Sequence, residues 1–268
     1  MRNGQPKISW AVALLAMGIA FGQAFAPRGD LKFEVGTVKP SLPGTQGGGV
    51  RPAPGGRRFV GSGVTLRVYL FVAYQVKPEQ IEGGPPWADT ELYDLSAEAE
   101  KPSSIEGLHV MLQNFLVERF KLQFHFEKKE MQAYMLTVDK GGPKNLKARL
   151  SVPGADFALD RAAEQPFHEK FNAHCVSMNF FTWALSSLLD HPIINQTNLD
   201  GCFDFEFTFT SELPPGIKEG QIFNGVPVDT YGPTVFQALQ RRLGLKMEAK
   251  KAPVETMVID HAERPAED

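Results

Sequence analysis

The sequence predicts an α+β fold built from two similar halves, each running strand, helix, strand, helix, hairpin, with antiparallel or mixed sheets covered by helices. Three observations predict it. The stretch "LQNFLVERFKLQFHFEKKEMQAYML", Leu112 to Leu136, returns as "VFQALQRRLGLKMEAKKAPVETMVI", Val235 to Ile259, at a constant spacing of 123 residues with no gap. "KLQFHFEK" alternates Leu122, Phe124 and Phe126 with Gln123, His125 and Glu127, the two-residue period of a half-buried strand. Before it, Leu108, Leu112, Phe115, Leu116 and Phe120 recur at helical spacing. A sheet that is apolar on one face must be covered, and two amphipathic helices per half do so.

The elements follow in order. "LKFEVGTVK", Leu31 to Lys39, has strand composition, and "PSLPGTQGGGVRPAPGG" is a Gly/Pro loop without the spacing of a phosphate-binding motif. "RRFVGSGV" is a short strand, and "TLRVYLFVAYQV" places Leu66, Leu70 and Ala73 at helical spacing. "KPEQIEGGPPWADTE" is a loop with an extended turn at Ile81, and "LYDLSAEA" a strand. The helix from Ser104 to Phe120 has Ser103 or Ser104 as its cap and Glu106 in its first turn. The strands "KLQFHFEK" and "MQAYMLTVDK" then form a hairpin turning at Lys128 to Glu130. The second half repeats the order: a helix around Asn179 to Leu189, a strand from Cys202 to Thr208, a helix from Thr234 to Leu243 and a closing hairpin. Aligning the halves sets Leu116 with Leu239, Arg119 with Arg242, Tyr69 with Trp183 and Asp94 with Asp204. The first half spans 31–148 and the second 155–268, packed as one body whose shared core accounts for the unusually high phenylalanine content of a chain with 20 in all.

Residues 1–26 read as a secretory signal peptide: Arg2 and Lys7, then an apolar run from Ile8 to Phe21, then small residues at Gly22, Ala24 and Ala26. An uncleaved anchor is the alternative, but the apolar run is shorter than the ~20 residues of a spanning helix. The expected location is periplasmic or secreted, with no membrane span after cleavage. Removing Arg2 and Lys7 leaves 26 basic against 31 acidic residues, which argues against a nucleic-acid partner. Cys175 and Cys202 are the only cysteines; in an oxidising compartment they predict one disulfide, with two buried thiols as the alternative.

The segments "FEVGTVKPS", "GVTLRVYLFVAYQV", "IEGGPPWADTELYDLSAEAE", "MLQNFLVERFKLQFHFEKKEMQAYMLTV", "KGGPK" and "VFQALQRRLGLKMEAKKAPVETMVIDHAERPAED" cover most of the chain from Phe33 onward. In them the chain resembles a family of uncharacterised exported proteins abundant in soil bacteria, especially acidobacteria, carrying a domain of unknown function. The resemblance implies an envelope or extracellular role in sensing or binding. Similar domains can be attached to membrane-bound metallopeptidase sensors, but this chain has no HExxH motif, so protease activity does not carry over. The element order is also similar to the short N-terminal docking domains of secretins and TonB-dependent receptors, by topology alone.

Catalytic signals are sparse. His109 and His125 read as surface residues, and His168, Glu169 and His174 match no zinc spacing, so neither metal nor cofactor is expected. Asp190–His191 and Asp260–His261 are sequence neighbours whose side chains diverge on regular elements, and no GxSxG elbow supplies a nucleophile. Asp94 with Glu98, and Asp204 with Glu206, share strand faces and supply the carboxylates for the alternative, a hydrolase with a nonstandard site. Aromatics in loops are the better binding signal: Trp87 and Tyr93 in and after "GGPPWADTELY", and Phe223 and Tyr231 around the corresponding loop of the second half. The expected activity is a non-catalytic binding or protein-interaction module that takes an envelope protein or a cell-wall ligand. Strand addition at a hairpin edge is a second mode, unless "EKKE", Glu127 to Glu130, protects that edge with charge.

Overall fold

The computed structural model describes residues 30–45, 47–154, 157–213 and 215–266; the expected signal peptide lies outside them. In chain order the elements are β1 (Val35–Pro40), β2 (Val50–Pro52), β3 (Arg58–Val64), α1 (Leu66–Tyr74), β4 (Ile81–Gly83), β5 (Tyr93–Glu98), α2 (Ile105–Arg119) and β6 (Gln123–Val138). They continue as β7 (Lys147–Arg149), β8 (Ala158–Gln165), β9 (His168–Ser177), α3 (Met178–Ser186), β10 (Ile193–Asn195), β11 (Cys202–Thr210), β12 (Ile222–Phe223), β13 (Val226–Pro227), α4 (Val235–Ala238) and β14 (Leu245–His261). A π-helical turn, Leu239–Leu243, carries α4 into β14.

Each helix starts where a side-chain hydroxyl satisfies one of its free amides. Thr65 accepts from Val68 N, Ser104 from Gly107 N, Ser177 from Phe180 N and Thr234 from Gln237 N. Each cap is worth about 1 kcal/mol, enough to fix where a short helix begins.

Two four-stranded sheets have the same design. One is ordered β1-β5-β3-β2 and the other β7-β11-β9-β8, antiparallel throughout. β2 falls inside the stretch expected to be loop, because its backbone pairs with β3 despite poor strand composition. Both sheets bulge just before their helix. Gly63 (φ 59°) and Cys175 (φ 47°) take the left-handed conformation, and each donates its N–H to one carboxylate, Asp94 Oδ1 at 2.8 Å and Asp204 Oδ1 at 3.1 Å. These bulges, like the caps Thr65 and Ser177, stand 112 residues apart. The helices therefore correspond two residues off the alignment read from sequence: Tyr69 matches Phe181, both fully buried, and Trp183 matches Phe71.

The third sheet joins the halves, ordered β10-β6-β14-β4. Here the expected hairpins are wrong. Gln123–Val138 and Leu245–His261 are each one continuous strand, and the two pair with each other, antiparallel, from Val138↔Leu245 to Phe124↔Ile259. The reason is chemical: Glu127 to Glu130 holds none of the Asn-Gly, Asp-Gly or Gly-X pairs that a tight turn needs, so the backbone stays extended. Residues 123 apart face each other at Glu130↔Pro253, the middle of both strands, which puts a local two-fold axis there. The outer strands obey it: Ile193–Asn195 pair in parallel with Tyr134–Leu136, and Ile81–Gly83 with Met257–Ile259, positions that are again 123 apart on the long strands.

The long strands also share the cores. The first core, around Phe59, Tyr69, Tyr93, Phe120 and Phe124, includes Met257 and Ile259 of β14. The second, with Phe171, Phe181, Phe205, Phe207 and Phe209, includes Leu136 of β6. Phenylalanine concentrates there, with Phe171, Phe207 and Phe209 stacked at centroid distances of 5.4 to 6.1 Å. Among the described residues no helix is long and apolar enough to cross a membrane.

Candidate binding site between the two halves

α1 ends at Tyr74 and is closed by Gln75, a non-glycine residue in the left-handed conformation at φ 54°. That turn sends Val76 to Gln80 back across the junction, where two side chains stitch the halves. Lys77 is 7% exposed, and its ammonium donates to the carbonyls of Ser186 (3.1 Å) and Leu189 (2.7 Å) at the C-terminal end of α3. A cation there satisfies Leu189 O, adds a second donor to Ser186 O, which also accepts from Leu189 N, and meets the negative end of the helix dipole. Gln80 accepts from Lys77 N and donates Nε2 to Glu255 O of β14, both at 2.9 Å.

Between these stitches lies a cavity of about 430 Å³. Its walls come from the end of α1, from α3, from β10 and from the middle of β14. Tyr74, Phe126 and Trp183 give aromatic surface, Gln75, Asn179, Thr182 and Asn195 give neutral polar groups, and Glu255 is the one acidic residue of the lining. Asn195 Nδ2 donates to Asn179 Oδ1 at 2.7 Å, tying β10 to α3. At the matching place α1 carries Arg67, which reaches farther: it donates to the carbonyls of Ile81 and Gly83 and pairs with Asp89.

Trp183 is the residue that sequence reading passed over. It entered only as the residue aligned with Tyr69, yet it sits where the halves touch, its ring 5.0 Å from Phe71 and 5.1 Å from Phe180. Its Nε1–H is buried with no acceptor among the described residues, a cost of about 1–3 kcal/mol.

The expected site residues fall in two other places. Trp87 is half-buried on the first core, 6.2 Å from both Tyr93 and Phe120, and the Arg264 guanidinium lies 5.4 Å from its ring centroid. Tyr93 is 1% exposed and donates to Glu91, and Arg264 grips the same carboxylate with two nitrogens. This arrangement closes the core beneath the C-terminal segment. Phe223 and Tyr231 lie elsewhere; Phe223 is 37% exposed and packs on Phe167, and Tyr231 is 80% exposed.

The titratable groups are mostly engaged. Burial pushes the Asp94 and Asp204 carboxyls up, but hydrogen bonds outweigh it and hold both below the usual range. The donors are Gly63 N, Ser41 and Ser62 for Asp94, and Cys175 N and Arg149 for Asp204. Glu98 pairs with Arg57 and Glu206 with Lys170. His109, expected at the surface, is 4% exposed between Phe59 and Phe180, because the second half covers that face of α2; burial lowers its pKa. His125 is accessible and bonded to Asp260 and Glu127, which raise its pKa. Cys175 and Cys202 form a disulfide, Cα–Cα 4.7 Å. Among the described residues no group of three His, Cys, Asp or Glu side chains is placed to hold a metal ion.

The fold and this cavity define a class: a pseudo-symmetric α+β body whose two halves enclose an aromatic and amide-lined pocket at their junction. The chain belongs to the family described as protein of unknown function (DUF3738), whose pattern matches residues 67–262. Neither a curated protein nor a solved structure matches it.

Proposed function

We propose that the protein is an exported, non-catalytic binding module of the cell envelope, and that the junction pocket takes a neutral cell-wall fragment rich in hydroxyl and amide groups. The carrying observation is the lining itself: an indole with an unused N–H beside amide and hydroxyl side chains. Flat aromatic surface takes the apolar face of such a ligand, and the amides supply both donors and acceptors for its polar edge. The matched pairing of the halves supports their origin by duplication of one unit.

Replacing Trp87 by Phe leaves Trp183 as the reporter in the mature chain. Titration with an N-acetylglucosamine oligosaccharide is then expected to give a saturable change in its fluorescence, with matching heat in calorimetry of the unmodified protein. Trp183→Ala is expected to weaken binding by tenfold or more. Neither heat nor fluorescence change at millimolar ligand would overturn the proposal.

An envelope protein as partner is the second reading. It is favoured by the exposed apolar residues Ile222, Phe223, Val226 and Tyr231 on and beside the β12–β13 hairpin.

A further inference from the structure

Across Tyr74, Gln75 and Asn179 from the junction pocket, a second cavity of about 370 Å³ opens against α2. Glu106, His109, Val110 and Gln113 form that wall; their spacing stacks them on one face of the helix. Gln113 is 7% exposed and donates Nε2 to Ala73 O at 2.8 Å. A carbonyl only accepts, so this bond fixes the amide orientation and leaves Oε1 as a buried acceptor with no donor among the described residues. The same logic applies to His109. Its Nδ1 lies 2.8 Å from Ile105 O and must donate, so the neutral ring that burial favours keeps its lone pair on Nε2. Glu106 adds an exposed carboxylate, and no lysine or arginine lines the cavity.

We propose that this cavity binds a primary ammonium group, with its N–H bonds directed to Gln113 Oε1, His109 Nε2 and the Glu106 carboxylate. An ammonium has three donors and no acceptor, which matches the three acceptor groups and one formal negative charge on the α2 side of the cavity; Gln75, Ser151, Ser177 and Asn179 bring neutral polar groups to the rest of the lining. A hydroxyl brings one donor and a guanidinium five, so neither fits the count. The aromatic ring of Tyr74, shared with the junction pocket, offers a surface for the carbon chain or a face for the cation. This site stands whether or not the junction pocket binds a cell-wall fragment.

The test titrates the full mature protein with 1,4-diaminobutane and, separately, with 1,4-butanediol, which has the same length without charge. Calorimetry measures binding, and nitrogen-15 NMR follows the His109 ring. The diamine is expected to saturate and to move the His109 Nε2 resonance, and the diol to do neither. Glu106→Gln, an exposed change, is expected to weaken the diamine roughly tenfold, the loss of one charged partner. Gln113→Met should abolish binding; should that variant fail to fold, the Glu106→Gln result decides. An equal response to the diol, a His109 resonance that stays put at saturation, or unchanged affinity in Glu106→Gln would each overturn the proposal. Trp183 fluorescence reports the other pocket, so failure here is separable from failure there.

Discussion

Removal of the Cys175–Cys202 bond is the perturbation whose size the structure lets one work out. The bridge closes a loop of 27 residues that contains α3 and β10 and ends at the first residue of β11. Constraining a loop of that length in the unfolded chain is worth about 3.5 kcal/mol at 25 °C. Both sulfurs are buried, with Cys175 9% and Cys202 2% exposed, so alanine is the proper replacement. Alanine at 175 keeps the backbone cost of φ 47°, which the wild type also carries, so the difference isolates the cross-link. With a urea slope of ~3 kcal/mol/M, Cys175→Ala/Cys202→Ala is expected to lower the unfolding midpoint by about 1 M. Equilibrium urea unfolding followed by circular dichroism measures it. Equal midpoints for oxidised wild type and the double variant would refute the reasoning, as would two alkylatable thiols in the native, unreduced protein.

Lys77→Met leaves Leu189 O without its donor and takes one of two donors from Ser186 O, and is expected to cost about 1–3 kcal/mol in the same assay, whereas Lys129→Met, which breaks only exposed pairs with Glu82 and Glu127, should cost under ~1 kcal/mol. Gly61→Ala would put a methyl 2.4 Å from the ring of fully buried Tyr69 and is expected to destabilise by about 1–3 kcal/mol, while Gly49→Ala, with open space around it, should be neutral. His109 has a lowered pKa when folded, so below its ordinary 6.5 the unfolded chain binds more protons than the folded one. Its contribution is complete above that pH and is lost as pH falls toward the folded value. His109→Leu should therefore flatten the fall of melting temperature just below pH 6.5. His125, raised by Asp260 and Glu127, runs the other way and loses its contribution as pH rises, and Asp94 and Asp204 matter only below about pH 4, so the His109 slope stands apart.

Local order was legible in the sequence because local chemistry sets it. Ser104 and the apolar stripe of α2 marked that helix, and alternation marked β5, β11 and the start of β6. The pairing of β6 with β14 was not legible, since a charged run reads as a turn until one asks which residue in it could turn. His109 misled for a related reason: one polar residue on an amphipathic helix looks outward, and only the second half, through Phe180, closes over it. The junction pocket draws on residues near positions 75, 183, 194 and 254, whose approach depends on a pairing across the whole chain. Trp87 stood out by its loop, yet its exposed side is taken by Arg264, a residue that no local pattern links to it.

One long strand from each half pairs with the other across the junction and holds the fold together. Proton NOE spectroscopy of the protein tests this pairing directly. Cross-strand backbone contacts are predicted between Phe124–Leu136 and Met247–Ile259, centred on Glu130 and Pro253. Contacts that instead fold 122–126 back onto 131–135, as a hairpin within one half requires, would contradict it.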